Sequence, residues 1–178
     1  MLVVVSHPDP HDIEPQIHHE LTPGYAFLYQ VLHEIRAIFM LSMKNVVSFQ
    51  NFGVSIVPAV KCLKPEKGPP GLDPQVPIRS CLPWLSKQIK LIKPRVIVGM
   101  GSTAMSALTG EPVAKCHAAS MRGVLAESPV PGTYMSFSPS PEWATHRNST
   151  DKAIVYYALG HAWDVYQSFA KKAEEQRD

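Results

Sequence analysis

The sequence is poor in the features that assign many proteins to a class at sight. It has three cysteines in 178 residues, an odd number with no leader before it, which points to a reducing, cytoplasmic setting rather than a disulfide framework. It has no apolar run of the roughly eighteen residues a membrane helix needs. The opening stretch, MLVVVSHPDP, carries no basic region, and its apolar segment is too short for a secretion signal. The formal net charge is only +2, which neither demands nor excludes nucleic acid, because the mark of such binding is local clustering of Lys and Arg. There is no internal repeat and no linker long enough to set off a second domain. Phosphate-loop and G-x-G-x-x-G dinucleotide motifs are both missing, which removes the common nucleotide-binding signatures. His18-His19-Glu20 is not expected to bind a metal, since neighbouring residues point apart and no matching Cys or carboxylate cluster stands nearby.

What is there is a globular composition, 45% hydrophobic and 18% charged, on a length suited to one domain with a sizeable core. Residues 1–170 form that domain, and 171–178 read as a charged, frayed C-terminal tail. The most informative stretch is Leu91 to Leu108. Pro94 ends an amphipathic helix, Val96-Ile97-Val98 reads as a buried parallel strand, and Gly99 to Thr103 turns into a second helix with Ser102 or Thr103 as N-cap. Free backbone N–H groups at such a turn suit an anion, although small residues for close packing would look the same.

The rest of the chain alternates in the same way. Leu2 to Val5 is a first buried strand, and Ser6 to Asp12 follows it with two His, two Asp and two Pro. A helix is predicted from Tyr25 to Leu41 on the spacing of Phe27, Leu28, Val31, Leu32, Ile35 and Ile38. Val54 to Val60 is a second strand that ends or bulges at Pro58, which has no ladder donor. A proline-rich loop leads to a helix over Ile78 to Ile92, with Leu82, Leu85, Ile89 and Ile92 on one face. Residues 109–132 read as irregular, Thr133 to Phe137 as a strand, and Thr150 to Lys172 as a last helix. That helix shows an apolar face through Ile154, Tyr157, Ala158, His161 and Val165, with His161 as a satisfied core histidine. This order predicts an α/β fold, a three-layer αβα sandwich around a mostly parallel four-stranded central sheet. Ligands of such sheets bind outside the carboxyl ends of the strands, so the His-Pro-Asp-Pro loop, the Gly-Ser-Thr turn and the Ser138-Pro139-Ser140-Pro141 loop should share one cleft.

These loops, in this order, resemble the uracil-DNA glycosylase superfamily, and most closely its iron–sulfur branch, often called family 4. The resemblance is strongest from Val60 to Leu108, where Val60-Lys61-Cys62 and the run from Cys81 through Leu108 match that branch nearly residue for residue. It extends more weakly from Val3 to Trp163. It implies a DNA partner and excision of a flipped base by N-glycosidic hydrolysis. Phosphates would be held at Pro10, Gly101-Ser102-Thr103, Pro139-Ser140 and Arg147. The first motif aligns with Gly-Gln-Asp-Pro-Tyr of the best-known branch. That places Asp9 at the water-activating position, with His11 assisting; a one- or two-residue slip would put His7 there instead.

The departures bear on activity. Pro58 stands where the family's base-reading Asn would be, and a proline ring cannot make that two-point contact. Ser138 stands where a His before proline would stabilise the uracil anion, and a neutral hydroxyl does this less well. Leu21-Thr22-Pro23-Gly24 replaces the base-stacking stretch. Cys62 and Cys81 match two of the branch's cluster ligands, but a [4Fe–4S] cluster needs four thiolates. Cys116 lies in another segment, so no cofactor is expected. Two functions follow: a DNA N-glycosylase acting through Asp9, His11 and Ser138 on uracil or another base, with His7 and Pro58 in the pocket; or an inactive glycosylase-fold protein that binds DNA or serves a replication or repair assembly.

Overall fold

The computed structural model describes residues 1–10, 21–40, 49–51, 53–62, 73–117 and 122–175. In chain order its elements are β1 (Leu2–Val5), α1 (Pro23–Glu34), β2 (Ile38–Met40), β3 (Phe49–Asn51), β4 (Ser55–Pro58), α2 (Gln75–Ile92), β5 (Val96–Met100), α3 (Ser102–Thr109), β6 (Ala126–Glu127), β7 (Tyr134–Ser138), α4 (Pro141–Thr145) and α5 (Ser149–Glu175). A single 3₁₀ turn, Val113–Lys115, follows α3.

The central sheet runs in the order β4-β1-β5-β7-β6. Four of its strands are parallel, with Val4 opposite both Val57 and Gly99, and Val98 opposite Ser136. The fifth, β6, is a two-residue antiparallel edge. It is too short to leave a periodic signal in the sequence, which is why four strands were expected and five are found. Every residue of β1 and β5 is buried, because helices cover both faces. Val3, Val5, Val96, Val98 and Met100 pack with α1 and α5 on one side. Leu2, Val4 and Ile97 pack with α2 and α3 on the other. The fold is therefore the expected three-layer αβα sandwich. Each fully buried Leu or Val contributes about 1.5–3 kcal/mol, so these short strands carry much of the stability.

Several details differ from the sequence reading. Helix α1 stops at Glu34 rather than Leu41: Arg36 takes φ +60°, and the Arg36 and Ala37 N–H groups bond back to the His33 and Leu32 carbonyls. Ile38 then enters β2, which pairs antiparallel with β3 in a separate small sheet; its helical spacing was coincidental. The buried stripe of α2 is Ile78, Cys81 and Leu85, while Leu82 is 38% exposed and Ile92 is also exposed. The buried face of α5 is Val155, Ala158, Leu159, Ala162 and Trp163, with Tyr157 left 59% exposed. Both helices carry more apolar residues than one stripe can hold, and contact with the sheet selects which stripe is covered. His161 is half-buried beside the Tyr157 ring, 5.7 Å between centroids. Its Nδ1 has no hydrogen-bond partner among the described residues, so it is not the satisfied core histidine that was expected. Helix α5 extends through Glu175.

Candidate functional site

The carboxyl ends of the parallel strands do meet. Beyond β1, the chain stays hydrogen-bonded to the end of β4: the Ala59 N–H donates to the Val5 carbonyl at 2.7 Å, and the Val60 N–H to the Ser6 carbonyl at 3.0 Å. Beyond β5, the Gly101 N–H donates to the Ser138 carbonyl at the end of β7, 2.8 Å away. The Ser6 hydroxyl donates to the Met100 carbonyl at 3.3 Å. The ends of four strands, far apart in sequence, are thus joined by main-chain and hydroxyl hydrogen bonds.

Gly101 is where they touch. Its backbone lies at φ +86°, ψ 166°, a region open essentially only to glycine. A Cβ there would sit 2.9 Å from Ser140 Cβ and 3.1 Å from Ser6 Oγ. Gly101 is also the N-cap of α3, and no side chain caps that helix; the sequence had suggested Ser102 or Thr103. Both of these instead lie in the first turn, half-buried. On the far side of the junction Ser140 caps α4, its hydroxyl accepting from the Trp143 N–H at 3.2 Å, with Pro141 in the first turn. Pro139 is buried and Ser140 half-buried. Arg147, just beyond α4, is exposed, with its guanidinium 4.8 Å above the Trp143 ring.

Asp9 lies in the same loop cluster but is only 1% exposed. Its Oδ2 accepts from the Thr22 N–H at 3.0 Å and from the Thr22 hydroxyl at 2.6 Å. Thr22 is the N-cap residue of α1, and Pro23 opens that helix, so Asp9 anchors the first loop to a helix start. The negative charge also suits the positive end of the helix dipole. His7 is half-buried, and its carbonyl accepts from the Tyr25 hydroxyl at 2.8 Å. Pro10 is half-buried beside them, and His11 lies outside the described residues. Sequence reasoning did not find Thr22 and Tyr25. The Thr-Pro pair is a helix-start signal that was available, whereas the tyrosine's reach was not.

Ser138 is fully buried, and its hydroxyl donates to the Pro139 carbonyl at 3.2 Å. Pro58 ends β4, as its missing N–H requires, and β4 is an edge strand, where proline is tolerated. Its carbonyl accepts from the Lys61 ammonium, which also donates to Gln88 Oε1 at 2.6 Å. Burial lowers the Lys61 pKa below its ordinary value, against a smaller opposing effect of Cys81. Cys81 is buried and its sulfur accepts from the Lys61 N–H at 3.3 Å, while Cys62 is exposed. Cys116 is buried elsewhere, beside the Pro112 carbonyl at 3.5 Å; burial, then Glu111, raises its pKa. Among the described residues no three His, Cys, Asp or Glu side chains come together as metal ligands, and no helix is long and apolar enough to cross a membrane.

A mostly parallel αβα sheet whose loops gather at the strand carboxyl ends, with a glycine turn opening a helix, is a frame that DNA glycosylase-like proteins share with other α/β proteins. The family model of the uracil DNA glycosylase superfamily matches residues 4–159. The chain belongs to that superfamily, whose members act on DNA. No curated protein matches the chain.

Proposed function

We propose that this protein engages DNA at the loops closing β1, β5 and β7, and that it does not hydrolyse the uracil glycosidic bond. The observation that carries the second half is the state of the three positions at which the superfamily handles uracil. Asp9 is out of solvent and bonded to Thr22, where a water-activating carboxylate needs a water to hold. Ser138 is buried and turned onto its own neighbour's carbonyl. Pro58 offers no side-chain hydrogen bond, and its carbonyl is taken by Lys61.

The frame for holding phosphate is more intact. Helix α3 starts without a side-chain cap at Gly101, so its first N–H groups and the Ser102 and Thr103 hydroxyls remain for an anion. Arg147, exposed just beyond α4, is the cation assigned to the DNA backbone in this reading. Pro10, Pro139 and Pro141 stiffen the surrounding loops. In this reading the protein serves a replication or repair assembly as its DNA-contacting member. Within this sequence Cys62 and Cys81 match two of the four thiolates that an iron–sulfur cluster takes, and Cys116 lies in a different segment.

The test uses single- and double-stranded oligonucleotides carrying uracil, hypoxanthine or hydroxymethyluracil. Salt-sensitive binding without abasic sites is expected. Abasic sites that disappear in Asp9→Asn, in a variant whose melting temperature shows it is folded, would replace this reading with a working glycosylase.

A further inference from the structure

At the other end of the sheet, an open groove of about 910 Å³ lies between α2, the end of α3 and residues 128–133. It is bounded by Pro94-Arg95 and Gly132-Thr133, which lead into β5 and β7. It is thus separated from the loops described above by the length of those strands, about 16 Å for five residues.

Its floor is apolar: Leu82, Leu85, Ile89, Ile97, Leu108 and Met135 line it. Its rim is charged with one sign only. Lys90, Lys93 and Arg95 all line the groove, and among the described residues no Asp or Glu does. Lys90 in the last turn of α2 also complements the helix dipole. That account does not extend to Arg95, which lies outside the helix with its guanidinium 3.4 Å from where a Gly132 Cβ would stand. Leu82 and Val130 leave 38% and 42% of their surfaces exposed, which extends the apolar surface of the floor to the groove's edges.

The geometry points to a docking groove for an acidic amphipathic segment of another protein, whose apolar side chains meet the floor while its carboxylates meet Lys90, Lys93 and Arg95. Helix-in-groove recognition has this form: apolar anchors at three- and four-residue spacing and charges along the flanks. A nucleic-acid single strand suits the groove poorly, because among the described residues its lining contains no Phe, Tyr or Trp on which a base can stack, and a duplex, held through its phosphates, would leave the apolar floor unused. The two ends of the sheet then do different work, one facing DNA and the other a protein partner, and both can be occupied at once.

The test titrates the protein with four probes: a synthetic helical peptide of leucines and glutamates in amphipathic spacing, the same peptide with lysine for glutamate, laurate as a small amphiphile, and a duplex oligonucleotide. Amide shifts are followed by NMR. The acidic peptide is expected to bind with a Kd on the order of 10–100 μM, as a small rim-charged contact does, with shifts at residues 82–95 and 128–133. The lysine peptide is expected not to bind. Lys93→Glu with Arg95→Glu, both at exposed positions, should weaken the acidic peptide about tenfold or more, while melting temperature falls by only a few degrees, from the reversed charge at the C-cap of α2. A separate Leu82→Glu variant should weaken it by removing an anchor. No binding of the acidic peptide at 1 mM would overturn the proposal. Equal binding of the two peptides would do the same, as would laurate or an oligonucleotide shifting the groove residues while the acidic peptide does not.

Discussion

Replacing Gly101 by Ala measures how tightly the three loops are held together. Two separate penalties follow from its position. The backbone at φ +86°, ψ 166° is glycine territory, and holding an alanine there costs about 1–3 kcal/mol. The new Cβ also meets Ser140 Cβ at 2.9 Å and Ser6 Oγ at 3.1 Å, and overpacking of that kind costs about 1–3 kcal/mol more. Together they give about 2–6 kcal/mol, which for a chain of this length lowers Tm by roughly 4–24 °C. Gly110→Ala is the control. Gly110 also has a positive φ, +77°, but a Cβ there meets nothing within 4 Å, so only the backbone penalty applies, about 1–2 kcal/mol. Thermal unfolding of the two variants beside the parent reads the difference directly. Gly101→Ala should unfold at the lower temperature of the two and lose DNA affinity, whereas Gly110→Ala should keep it. Equal shifts, or a larger one at Gly110, would show that Ser6, Gly101 and Ser140 do not form the crowded junction described.

Other perturbations probe separate parts of the account. Thr22→Val removes the hydroxyl that donates to the buried Asp9 carboxylate, and chemical denaturation should show a loss of about 1.5–3 kcal/mol. Arg147→Ala should weaken oligonucleotide binding alike for all sequences and reduce the slope of log affinity against log salt by about 1. With a thiol reagent near neutral pH, the exposed Cys62 should react first. Cys81 and Cys116 should react only on unfolding, since both are buried and Cys116 has a raised pKa. Lys61 titrates below its ordinary 10.5 in the folded chain. The unfolded chain therefore binds more protons just below that pH, and stability should rise as pH climbs through this window. Lys61→Met should flatten that rise.

The layers of the fold were legible because they rest on strong local signals. Leu2 to Val5 and Val96 to Val98 are unbroken apolar runs that only a sheet covered on both faces can bury, and Pro94 and Pro58 mark ends that backbone chemistry enforces. The hairpin of β2 and β3 was not legible, because Ile38 continued the helical spacing of α1 and nothing in sequence announced that Arg36 would turn the chain. The covered stripe of α5 was ambiguous for a different reason. Ile154-Tyr157-His161 and Val155-Leu159-Trp163 are both apolar at helical steps, and only docking against β5 and β7 separates them. At the site, the sequence placed Asp9, Gly101 and Ser138 in neighbouring loops. It did not reveal that Asp9 is spoken for by Thr22, because a carboxylate that activates water and one that anchors a helix start look alike until their partners are known.

The division of labour between a retained DNA-facing frame and altered uracil-handling positions is the central claim, and hydrogen exchange on an oligonucleotide complex tests it most directly. Amides in peptides spanning Ser6–Pro10, Gly101–Thr103 and Ser138–Thr145 should gain protection when a uracil-containing oligonucleotide is added, with the oligonucleotide recovered intact and free of abasic sites. Protection confined to residues 82–95 and 128–133, or none anywhere, would contradict the placement of DNA, and recovery of an abasic oligonucleotide would contradict the assignment of Asp9 and Ser138 to structure.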